Sequence, residues 1–218
     1  MNAMARIKNT DPSSAQPGRR AVGRPRAFDE GEALAAARSV FLDKGLAAAT
    51  LDDLTAAMKI NRPSLYAAFT DKEALYLRTL DGYVQDMKMM AGAALADAPT
   101  LRSALKRFYG GAIEVYTSGG AHAVGCYIVC SAIPESVCNE SVRAKAADAL
   151  HFLDSALERR FQRAIDDGEL TAKADASALA ALAAGILHSL AVRARGGARR
   201  KELEALATNA VQMLTARA

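Results

Sequence analysis

Between Phe28 and Tyr76 the chain restarts a helix four times, each time at a side chain able to cap backbone amides. Asp29 and Glu32 have capping-box spacing, and Leu34, Ala37, Val40 and Phe41 then follow helical spacing up to Lys44, with Gly45 as the stop. Thr50 with Asp53 opens a second, short helix whose apolar face is Leu51, Leu54 and Met58. After a turn at Lys59-Ile60, Asn61 caps a third helix that tolerates Pro63 in its first turn. Leu65 and Phe69, four apart, face inward and leave Arg62, Ser64 and Tyr66 outward. Thr70 and Glu73 are expected to open a long helix through Leu75, Leu80, Tyr83 and Met87. So many short helices in tandem leave little room for any topology but a small bundle.

Alanine, the strongest helix former, fills 49 of the 218 positions, and Trp is absent. Beyond Pro99 the pattern predicts helices over 101–116, 126–133, 140–167, 176–195 and 199–216, with no strand and no internal repeat. The fold class is all-α. A basic arm over 1–26 precedes a three-helix unit over 27–76 and a larger helical domain over 77–218. The chain is long enough to bury a core without disulfide or metal staples. Three Cys and a polar N-terminus suggest a reducing, cytoplasmic setting, and the Ala-rich stretch 176–192, broken by Ser177, His188 and Ser189, is not read as a membrane span.

The formal charge of +4 is unevenly placed. Residues 1–28 hold six basic residues against Asp11, while the remaining chain holds 22 basic and 23 acidic residues. A basic arm ahead of a near-neutral body implies a polyanionic partner. Two short helices joined by a tight turn supply the matching geometry, a helix-turn-helix whose second member enters the major groove of duplex DNA. On that helix Arg62 can donate twice to guanine, while Ser64 and Tyr66, together with Lys72 just beyond it, can reach phosphate oxygens.

These segments resemble the DNA-binding domain of TetR-family transcriptional regulators. The resemblance rests on Gly23-Arg24-Pro25-Arg26 with Phe28-Asp29, Ala37 and Val40-Phe41 before Gly45, Thr50 with Leu54, Ser64-Leu65-Tyr66 with Phe69, and Lys72-Glu73-Ala74-Leu75. Two positions depart from the family pattern: Leu46 replaces an aromatic residue, and Lys59 stands where the turn usually has Gly. The resemblance implies that Thr50, Ser64, Tyr66 and Lys72 clamp phosphates, that Asn61, Arg62 and Pro63 lie nearest the bases, and that Arg24 and Arg26 reach an adjacent minor groove. It also implies a homodimer on a near-palindromic operator, released when a small molecule enters the C-terminal domain. The last two helices would form the dimer contact through Leu179, Leu182, Ile186, Leu190, Leu203, Leu206 and Leu214.

A ligand cavity is expected among Tyr83, Met87, Met90, Phe108, Tyr116, Cys126, Tyr127 and Phe152, residues that otherwise read as core. His122, Cys126 and Cys130 repeat every four residues, so a metal- or redox-responsive regulator of the same fold is the alternative. The glycines at 119, 120 and 125 argue against an unbroken helix there, and no metal or cofactor is assigned. His151 and His188 lack a local partner and read as structural. No phosphate-binding GxGxxG or P-loop, HExxH or nucleophile-elbow motif occurs, which argues against an enzyme. A membrane- or RNA-binding helical protein fits less well, because the arm is not amphipathic and the ordered motif suits duplex DNA.

Overall fold

The computed structural model describes residues 28–119 and 123–216. The first helix, α1 (Glu30–Ala48), starts at Asp29, whose carboxylate accepts from the Glu32 amide at 2.9 Å. Gly45 breaks its regular course at φ +75°, as a C-terminal glycine would, and a last turn continues to Ala48. α2 (Leu51–Met58) opens on a complete capping box between Thr50 and Asp53. Lys59 then takes a left-handed conformation at φ 55°, ψ 39°, which costs a non-glycine residue about 1–2 kcal/mol. α3 (Arg62–Phe69) is capped by Asn61, which accepts from the Ser64 amide at 2.8 Å.

One helix start differs from expectation. α4 (Lys72–Ala96) is capped by Asp71, not Thr70: the Asp71 side chain accepts from the Ala74 amide at 2.7 Å. Thr70 is held at φ 62°, ψ −58°, outside the extended conformation that an N-cap requires. Leu65, Phe69, Leu54, Met58 and Phe41 are buried, so the three short helices close over their own small core against α4. α4 itself runs from the short-helix unit deep into the second domain, so the two share one continuous helix.

The second domain comprises α5 (Leu101–Tyr116), a π-helical turn (Ile128–Ala132) continuing into α6 (Ile133–Glu135), α7 (Glu140–Asp166), α8 (Ala176–Arg195) and α9 (Arg200–Leu214). Cys126 lies ahead of the turn and outside any helix, so Cys126 and Cys130 do not share a helical face, in keeping with the break expected at Gly125; His122 lies outside the described residues. Gly125, at φ +68°, packs so closely that an added Cβ would lie 2.8 Å from Cys130 Sγ and 2.9 Å from the Ala191 carbonyl oxygen. By length and composition α8 is apolar enough to cross a membrane, contrary to the reading of 176–192, yet it packs against α7, α5 and α9.

Polar contacts stitch the two domains. Arg195 on α8 donates to the Leu42 carbonyl at 2.6 Å, and Glu135 accepts from the Leu46 amide at 3.0 Å beside the Gly45 break. Tyr76 on α4 shares a buried hydrogen bond with Ser131 at 2.9 Å, and Thr79 one with Tyr127 at 2.9 Å. The rings of Phe41, Tyr76, Tyr127 and Tyr83 meet edge to face in series, at centroid distances of 5.1, 5.6 and 5.7 Å.

Candidate nucleic-acid interface and effector cavity

The outward face of α3 follows from its inward one. With Leu65 and Phe69 buried, Asn61, Arg62, Pro63 and Tyr66 are exposed and Ser64 is half-buried. Thr50, at the start of α2, is exposed as well. Two cations expected at the DNA, Arg62 on α3 and Lys72 at the start of α4, are occupied within the chain. Arg62 donates to one Asp52 oxygen from Nε at 3.3 Å and from Nη2 at 2.8 Å, and that carboxylate holds the guanidinium still more firmly protonated. Lys72 donates to the carbonyls of Ala47 and Ala49 at 3.3 and 3.1 Å, at the end of α1 beside Thr50. The pair with Asp52 is solvent-exposed on both sides, the kind that a phosphate or base edge displaces readily. Arg24 and Arg26 lie outside the described residues.

Behind this unit a cavity of about 360 Å³ opens among α1, α4, α5, α7, α8 and the segment at Cys126. Six of the eight expected residues line it: Tyr83, Met87, Met90, Phe108, Tyr116 and Cys126. Two do not. Tyr127 is fully buried beside Tyr76 and Tyr83 with its hydroxyl on Thr79, and Phe152 faces a separate groove on the α4–α7 side. Helical spacing marks both as apolar but does not tell which side of a packed helix each faces.

Four polar lining residues were not expected at the cavity from the sequence: Arg38, Asp86, Ser118 and His188. Arg38 belongs to α1, in the short-helix unit; its guanidinium lies 5.6 Å from the centre of the Tyr83 ring and 3.4 Å from Asp86. His188, read as structural, has a buried Nε2 without a partner, and burial lowers its pKa against the pull of Asp154. Within the cavity wall the Tyr83 hydroxyl donates to Cys126 Sγ at 3.3 Å, and burial drives the Tyr83 and Tyr116 phenols well above their ordinary range. The cavity is thus an apolar, aromatic slot with a few polar groups at its edges, the usual make-up of a small-molecule site. Among the described residues no three His, Cys, Asp or Glu side chains group as a metal site.

On the opposite side, α8 and α9 carry apolar residues on a solvent-facing surface. Leu182, Val192 and Met213 are 59, 58 and 78% exposed, and Leu179, Ile186 and Leu206 are half-buried. Leu190, Leu203 and Leu214, expected at a dimer contact, are instead buried within the subunit's own core, whereas Val192 and Met213 on the same two helices are exposed. α8 is apolar around most of its circumference, so residue type alone does not separate its two faces.

Residues 33–79 match bacterial regulatory proteins of the tetR family, and residues 102–211 match the tetracyclin repressor-like C-terminal domain. The chain is 29% identical over 197 residues to the HTH-type transcriptional repressor ComR of Escherichia coli (strain K12), covering 88% of this chain and 91% of that protein. A cysteine-substituted form of the regulator CifR, solved with 26-bp double-strand operator DNA, is 34% identical and superposes with a TM-score of 0.76 over 87% of this chain and 98% of its own. A regulator from Rhodococcus sp. RHA1 is 33% identical over 85% of this chain and 99% of its own, with a TM-score of 0.59.

Proposed function

The chain belongs to the TetR family of bacterial regulatory proteins, and from that premise we propose that it is a homodimeric transcriptional repressor that leaves its operator when a small organic effector fills the central cavity. The repressor reading draws on ComR and on CifR, whose structure holds operator DNA. In this reading α3 lies in the major groove. Arg62 reads a base edge with Asn61 and Pro63 beside it, while Thr50, Ser64, Tyr66 and Lys72 hold phosphates. Arg24 and Arg26 add contacts in the neighbouring minor groove. The exposed Leu182, Val192 and Met213, with Leu179, Ile186 and Leu206, meet their copies across a two-fold axis. Two-fold symmetry calls for half-sites about 34–36 Å apart, or a multiple.

The observation that carries the switch is the shared ownership of the cavity wall. Arg38 comes from α1, Tyr83 and Met87 from α4, and Cys126, Ile128 and Val129 from the segment whose far end, Glu135, holds the Leu46 amide at the α1 break. An effector that packs better against one placement of these elements than another shifts α1 and α4 together, and α3 moves with them. The apolar lining and the Tyr83–Cys126 hydrogen bond favour an organic effector over a metal ion.

The test is fluorescence anisotropy on operator fragments selected from genomic DNA, with and without candidate effectors. Arg62→Ala should weaken specific binding about tenfold or more and relax the preference at one base pair. An unchanged sequence profile would remove Arg62 from base reading. Retention of DNA in the presence of compounds shown by calorimetry to fill the cavity would refute release by effector.

A further inference from the structure

Among the described residues, the buried side-chain polar atoms without a hydrogen-bond partner belong to His188 and Arg160. His188 lines the central cavity; Arg160 lines a second one. This groove of about 190 Å³ lies between the C-terminal half of α4 and the middle of α7, bordered by Gly92, Leu95, Phe152, Arg159, Arg160 and Arg163 among its walls. We propose that it binds a small carboxylate with an apolar body, as a site separate from the central effector cavity.

The charge argument comes first. Three guanidinium groups line the groove and no carboxylate does. A fourth cation, Lys88, lies 5.2 Å from the centre of the Phe152 ring. Two acids lean on the cluster from elsewhere: Glu169 accepts from Arg160 Nη2 at 3.0 Å, and Asp167 accepts from Arg163 Nε at 3.3 Å. Arg159 has no partner among the described residues, and Arg160 keeps Nε and Nη1 unpaired although its side chain is only 3% exposed. A buried guanidinium with two free donors is held at a cost that an oxyanion would offset.

Shape selects among oxyanions. The planar fork of a guanidinium pairs two parallel N–H groups with a carboxylate, which a compact ammonium does not match. The remaining walls, Gly92, Leu95, Ala96, Phe152 and Ala156, offer carbon to the rest of the ligand. Arg163 also donates to the Ala96 carbonyl at 3.2 Å, so an occupant of the groove would bear on the end of α4, the helix that begins three residues after Phe69 at the end of α3.

Isothermal titration calorimetry on the full chain tests this with benzoate, benzamide and inorganic phosphate as probes. Benzoate should bind once per chain with a dissociation constant of about 1 mM or below, and benzamide and phosphate at least about tenfold more weakly. Arg159→Gln, which breaks no hydrogen bond among the described residues, should weaken benzoate several-fold, and Arg159→Gln with Arg163→Gln about tenfold or more. Arg38→Gln, in the central cavity, should leave it unchanged. Benzamide or phosphate equalling benzoate overturns the proposal, as does indifference of benzoate binding to Arg159→Gln. Loss of benzoate binding in Arg38→Gln places the ligand in the central cavity and overturns it as well, without touching the reading of that cavity.

Discussion

Replacing Gly125 with alanine separates two costs that the structure stacks at one residue. At φ +68° any L side chain meets its own backbone, a penalty of about 1–2 kcal/mol. The new Cβ also lands 2.9 Å from the Ala191 carbonyl oxygen of α8 and 2.8 Å from Cys130 Sγ. The sulfur can rotate away, but the backbone of α8 gives only by moving the helix, which adds about 1–3 kcal/mol of overpacking. Gly168 supplies the control: it has φ +72° and nothing within 4 Å of its built Cβ. Alanine there incurs the conformational penalty alone, reduced by about 0.4–1 kcal/mol through a stiffer unfolded chain. With the same relief from the unfolded chain at both sites, expected losses are about 1–4.5 kcal/mol for Gly125→Ala and about 1 kcal/mol for Gly168→Ala. For a chain of this size these correspond to falls in Tm of roughly 2–18 °C and 2–4 °C. Urea unfolding of both variants at one protein concentration, with m-values compared, measures the difference. Equal losses would refute the close approach of α8 to the segment that carries Cys126.

Deleting residues 1–26 should flatten the fall of DNA affinity with salt, because every phosphate that the arm no longer neutralises takes about 0.9 off the log–log slope; an identical slope would show that the arm touches no phosphate. Leu182→Glu should shift the proposed homodimer towards monomer in sedimentation velocity while leaving the helical circular dichroism intact, and an unchanged sedimentation coefficient would exclude this face from the proposed interface. Lys44, followed by Thr50, holds the Asp53 carboxyl at about 2 rather than 3.8. The folded pKa is the depressed one, so the contribution of Asp53 to stability is complete above 3.8 and disappears as pH falls towards 2. A carbon-detected NMR titration of the Asp53 carboxyl should give that low midpoint, and Lys44→Met should raise it; an Asp53 midpoint unmoved by Lys44→Met would refute the assigned cause.

Helix boundaries were legible wherever a polar side chain had a single amide to cap. Asp29, Thr50 with Asp53, and Asn61 all cap where spacing placed them. Thr70 failed because two capping residues stand side by side and only backbone conformation decides between them. The Asp71 amide donates to the Phe69 carbonyl at 2.6 Å in a tight turn, which leaves Thr70 at a positive φ and Asp71 extended. The cavity was half legible. Aromatic and Met residues on α4 and α5 pointed to it, but Arg38 and His188 come to it from positions 150 residues apart, and no local pattern joins them. The same limit explains Leu190, Leu203 and Leu214, whose burial depends on which neighbour each helix face meets.

The position of Arg38 bears on how such a protein can be divided. α1 belongs to the helix-turn-helix unit, yet Arg38 closes one edge of the central cavity and rests over Tyr83 of α4. A chimaera that grafts this C-terminal domain onto a foreign reading head at the start of α4 would leave the cavity without that edge. The contact of the Arg195 guanidinium is less demanding, because it is made to a backbone carbonyl, that of Leu42, which any α1 in the same place supplies. Transplanting the proposed sensing property therefore requires the donor's α1 residue at 38 to travel with it, so the unit of exchange is larger than the C-terminal domain as sequence families divide it.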